Sequence, residues 1–69
     1  MVFVFQFLTV EGERRQTLDS MTHRAMSADR ARDYARAMLR NVRVRDRTPD
    51  LCVIKDQMGN TVSEVRAAS

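Results

Sequence analysis

Nucleophilic, acid–base or metal chemistry in this chain would have to come from one cysteine, Cys52, one histidine, His23, and nine carboxylates. A thiol becomes a nucleophile when a base, a cation or a helix N-terminus lowers its pKa. Cys52 sits in the run Leu51-Cys52-Val53-Ile54, which supplies none of these and reads as core. His23 follows Asp19 by four residues. On a helix that carboxylate would orient the imidazole for proton transfer, but no nucleophile or second base lies nearby in sequence, and His23 reads as a surface residue. One cysteine forms no internal disulfide, and with a single histidine it does not complete a tetrahedral Cys/His zinc site. Asp29, Asp33 and Glu64 are the candidate carboxylates for acid–base work. Arg32 and Arg36 interleave with the first two, the pattern of solvated ion pairs on a helix face. The two glycines, Gly12 and Gly59, are too far apart to form a phosphate-cradling loop. These residues predict no catalytic residue, no cofactor and no metal.

The arginines are the more informative polar group. Of the 12 basic residues only Lys55 is a lysine, and the net charge is +3. Arg40, Arg43, Arg45 and Arg47 fall within one short stretch, and the segment from Arg24 to Arg47 is net +5 while the rest of the chain is net −2. A basic cluster of this kind is a candidate for contacts to phosphate or nucleic acid. The competing reading is that cations favour a helix C-terminus and a solvated loop.

The elements that would position these residues follow from pattern. Residues 2–10 are rich in aromatic and β-branched residues and predict a strand, closed by a turn at Glu11-Gly12-Glu13. Residues 15–22 fit a second, weaker strand or a helical turn, because Leu18, Met21, Ala25 and Met26 also keep helical spacing. Residues 28–41 predict an amphipathic helix. Ser27 is its N-cap, Asp29 lies in its first turn and Asn41 is its C-terminal cap. Its core stripe is Ala31, Ala35, Met38 and Val42, widened by Tyr34 and Leu39. A polar connection over 42–50 ends at Pro49. Residues 51–56 and 61–66 then form a hairpin, with Asp56 opening the turn and Gly59 supplying a positive φ.

The stretches Phe3-Val4-Phe5-Gln6-Phe7, Ser27-Ala28-Asp29-Arg30-Ala31-Arg32 and Val53-Ile54-Lys55-Asp56-Gln57-Met58-Gly59-Asn60-Thr61-Val62 together resemble a group of short bacterial proteins classed as a domain of unknown function. Those proteins open with an aromatic-rich strand, carry one Ala/Arg-rich helix and close on a hairpin. Their acidic Asp-Gly pair after the first strand is replaced here by Val10-Glu11-Gly12. The resemblance implies a fold and brings no activity or site residue with it.

The expectation is one α+β domain over residues 1–69. It is a two-layer sandwich in the order β(β)αββ, with one helix on a three- or four-stranded, mainly antiparallel sheet. Phe3, Phe5 and Phe7 take one face of the first strand. They could stack bases as in RNA-binding sheets, but the later strands contain no aromatic partner, and packing under the helix is expected. Val2, Val4, Leu8 and Val10 take the other face. One helix covers one face, so these four are the candidate interface of a homodimer, which would also enlarge the small core of a 69-residue chain. The first ten residues have no positive n-region and are too few to cross a bilayer. With the free cysteine, they predict a cytoplasmic protein with no membrane contact. The expected function is a non-catalytic binding or assembly module that self-associates. The alternative is a weak nucleic-acid binder using the arginine cluster.

Overall fold

Strand β1 (Val2–Glu11), strand β2 (Arg14–Arg24), helix α1 (Ala28–Asn41), strand β3 (Leu51–Lys55) and strand β4 (Thr61–Arg66) follow one another in a computed structural model, which describes residues 1–67. The four strands make one antiparallel sheet in the order β2-β1-β3-β4, with α1 on one face. This is the expected small α+β fold. The segment 15–22 is strand, not a helical turn, and β2 pairs with β1 from Arg14 to Arg24. Gly12, at φ 61, lets the chain turn straight back on itself. The ladder offered by a ten-residue β1 then outweighs the local helical spacing.

Alternation along β1 separates two apolar sets. Phe3, Phe5 and Phe7 point to the helix and are 2%, 0% and 1% exposed. They pack with Ala31, Ala35 and Leu39 of α1 and with Cys52, Ile54 and Val65. Burying a side chain of this size contributes roughly 1.5–3 kcal/mol, so the three rings form the main apolar anchor of the domain. The buried helix stripe is Ala31, Ala35 and Leu39. Met38, Tyr34 and Val42 flank it and are only half-buried. The stripe therefore advances by four residues each time, and Leu39, expected only to widen it, is buried where Met38 and Val42 were expected.

The helix ends are closed by side chains. Ser27 is extended and its hydroxyl accepts from the Arg30 N–H at 3.2 Å. Asn41 does not adopt a left-handed cap. Its Nδ2 donates to the Ala37 carbonyl at 3.0 Å, and extended Val42 ends the helix by donating its N–H to Met38 O at 2.8 Å. The hairpin turn is centred on Asp56, whose carboxylate accepts from the N–H groups of Met58 and Asn60, each at 2.9 Å. Gly59 there has φ 86.

The connection between α1 and β3 contains an element that the sequence pattern does not reveal. Val44 and Arg47 exchange two backbone hydrogen bonds of 2.9 and 3.0 Å. The two residues between them, Arg45 and Asp46, have φ 53 and 64. Positive φ at both central residues is the signature of the tightest hairpin turn, usually built from Asn and Gly. Beyond it, Asp50 ties three strands together. Its N–H donates to Leu8 O, its carbonyl accepts from Ala67 N–H, and its carboxylate accepts from Val10 N–H at 2.8 Å.

Candidate functional site

The sheet face away from α1 is the first candidate surface. Register places its residues in rows: Thr22, Val4 and Lys55; then Ser20, Gln6, Val53 and Glu64; then Thr17, Leu8, Leu51 and Arg66; then Arg15 beside Val10. No secondary-structure element among the described residues covers this face. Its centre is nevertheless closed. Leu8, Leu51 and Val53 are 7%, 0% and 6% exposed and cluster together, with Val10 against them. Of the four candidate interface residues, Leu8 is therefore already buried within one chain. Val2, Val4 and Val10 remain half-buried.

The arginine cluster is divided by the fold. Arg47 is turned back onto the β1–β2 end of the sheet, 3.0 Å from the Glu11 carboxylate and 3.5 Å from Gln16 Oε1. Arg40, Arg43 and Arg45 are exposed and have no carboxylate partner among the described residues. Arg45 occupies the tip of the tight hairpin.

The remaining chemistry-bearing side chains have structural explanations. Cys52 is fully buried beneath α1, and desolvation pushes its thiol up to about 12. A thiolate is the reactive form, so this thiol is held in the inert state. His23 is exposed and stacks on Tyr34, with ring centroids 4.3 Å apart and planes 10° from parallel. Tyr34 in turn meets Phe5 edge-on at 5.3 Å. His23 thus lids the edge of the aromatic core, and Asp19 instead accepts from the Ser20 N–H. Asp29 pairs with Arg32, and Asp33 with Arg36 at 3.1 Å, both along the helix surface. Glu64 is in β4 and meets Arg15, so the three carboxylates are not brought together as a catalytic pair. The Asp56 carboxyl is held below its usual range, first by the Asn60 backbone N–H and then by that of Met58.

Among the described residues, no three His, Cys, Asp or Glu side chains converge as a metal site requires, and no helix is long and apolar enough to cross a membrane. The burial of Phe3, Phe5 and Phe7 removes them from base stacking. Sequence reasoning missed two groupings: the Arg15–Glu64 pair over the open face, and a cleft bordered by Arg36, Arg40 and Arg66. Neither leaves a local signal, since each joins residues far apart in the chain. No protein-family model, curated protein or solved structure matches this chain.

Proposed function

We propose that this chain is a non-catalytic binding or assembly module that associates with a second copy of itself through the open face of its sheet. The observation that carries the reading is the set of half-buried valines along β1, Val2, Val4 and Val10, on a face that no element among the described residues covers. The sheet edges are less suitable. In β2 the register skips Leu18, and in β4 it skips Val62, so each edge strand contains a bulge. Bulges twist an edge away from further pairing. Arg14, Arg15 and Arg24 also place like charges at both ends of β2. A face-to-face two-fold contact is self-complementary and needs no free edge.

The energetics make this association weak. Each valine is already half-buried, so completing its burial contributes on the order of 1 kcal/mol. Three from each copy barely offset the cost of association, about 4 kcal/mol at the least. The test is sedimentation equilibrium from micromolar to millimolar protein. The expected result is a mass that rises towards two chains at the upper end. Val4→Glu should stay folded and monomeric, because Lys55 lies directly across from Val4 and receives the new carboxylate. A wild-type mass of one chain throughout removes the proposal.

A second reading is weak nucleic-acid binding by Arg40, Arg43 and Arg45, favoured by their lack of carboxylate partners among the described residues. It predicts salt-sensitive, sequence-independent binding. Replacing Arg43 and Arg45 by alanine should lower the salt slope by roughly one unit for each phosphate that is no longer neutralised. Arg47→Ala should lower it less, because Arg47 is held by Glu11.

A further inference from the structure

We propose that the cleft between the last turns of α1 and the end of β4 binds a small phosphate-bearing molecule, with Arg36 and Arg40 as its principal contacts. The cleft has a volume of about 390 Å³ and is lined by Arg36, Leu39, Arg40, Thr48, Arg66 and Ala67. That volume lies at the lower end of the range for small-molecule sites. The lining also has the usual composition of one, with an apolar floor and a few convergent polar groups. Leu39, 3% exposed, and Ala67 form the floor. Arg36 and Arg40 are four residues apart on α1 and so project from the same side of the helix. Arg66 borders the cleft at the free edge of β4, but its register with Leu51 starts its side chain on the opposite sheet face, so it is not one of the contacts.

Charge selects the ligand. Arg40 has no carboxylate partner among the described residues, and Arg36 uses one terminal nitrogen on Asp33. The carbonyl end of a helix opposes an anion, but here Arg40 in the last turn already offsets it. A carboxylate brings one negative charge to this group of cations. A phosphate monoester brings close to two and offers three acceptor oxygens, which guanidinium forks engage in pairs. Thr48 also lines the cleft. The concave shape favours a small molecule over a polynucleotide, and Arg43 and Arg45 lie outside the cleft. Binding here is independent of self-association, because the open-face valines take no part in the cleft.

The test is an amide-resolved NMR titration of the intact chain at physiological salt, with phenyl phosphate, inorganic phosphate and a short single-stranded DNA as separate probes. Saturable shifts are expected at residues 36–40, 48 and 66–67. Phenyl phosphate should bind more tightly than inorganic phosphate because its ring meets Leu39 and Ala67. Arg40→Gln should weaken phenyl phosphate binding about tenfold or more, and Arg40→Lys should weaken it less. Arg24→Gln, a control outside the cleft, should leave it unchanged. Three results overturn the inference: no saturation by phenyl phosphate at about 10 mM, equal losses in Arg40→Gln and Arg24→Gln, or saturation of the cleft by DNA alone.

Discussion

Arg15 of β2 and Glu64 of β4 meet through two hydrogen bonds, 3.3 and 3.4 Å long, across the whole width of the sheet. β1 and β3 lie between them. Arg15 stands in the Val10 row and Glu64 in the Val53 row, so the line joining them crosses the intervening row at Leu8 and Leu51. The arginine stem is apolar and its head is charged, which suits a roof over aliphatic side chains. This accounts for a sheet face that no element among the described residues covers and whose centre is nevertheless buried.

The pair should be a modest stabiliser. Both side chains are about two-fifths exposed, at 44% and 40%. A double-mutant cycle with Arg15→Ala and Glu64→Ala, read by urea unfolding, should give a coupling of roughly 0.2–1 kcal/mol that shrinks with added salt. Arg15→Ala alone should cost more than Glu64→Ala alone, because it also removes the stem that covers Leu8. Equal single-variant costs would show that the roof contributes charge only.

Cys52 should react slowly with a thiol-directed dye in the folded protein and quickly in denaturant. Its burial raises the folded pKa to about 12, so the folded state holds the thiol proton more tightly than the unfolded state does. Its contribution to stability is complete below the unfolded pKa of roughly 8.5 and is lost as pH rises through the folded value. Denaturant midpoints should therefore fall above about pH 9 in the wild type. They should fall less in Cys52→Ala, which has no thiol to ionise.

Asp56 has the opposite sign. Hydrogen bonds from Asn60 and Met58 lower its folded pKa. Its contribution is present above the unfolded carboxyl pKa of about 3.9 and is lost as pH falls through the lowered folded value. Asp56→Asn keeps an acceptor oxygen in the turn but no charge. The variant should be less stable than wild type at neutral pH, and the two thermal midpoints should converge in acid below about pH 4. A gap that stays constant down to acid would assign the effect to turn geometry instead of charge.

The tight hairpin at Arg45-Asp46 should be improvable. Both residues hold positive φ, where a side chain costs on the order of 1–2 kcal/mol per residue relative to glycine. Arg45→Asn with Asp46→Gly restores the favoured turn pair, and should raise stability by about 1 kcal/mol or more by urea unfolding. If the exposed arginines contact phosphate, the same double variant should bind nucleic acid more weakly although it is more stable.

The sequence by itself determined the features that depend on near neighbours. Ser27 and the apolar spacing bound the helix at 28–41, Asp56 and Gly59 mark the hairpin, and Leu51-Cys52-Val53-Ile54 marks a buried strand. The two-sided apolar character of β1 was also legible, because side chains alternate along any strand. Tertiary structure decided the rest. Residues 15–22 become a strand only because β1 is there to pair with them. Arg47 leaves the arginine cluster for Glu11, 36 residues away, and Arg15 finds Glu64 at a separation of 49. The cleft at Arg36 and Arg40 exists only where β4 ends beside α1. Caps, turns and periodicity are set by contacts within a few residues, whereas these meetings depend on strand order, which no local pattern specifies.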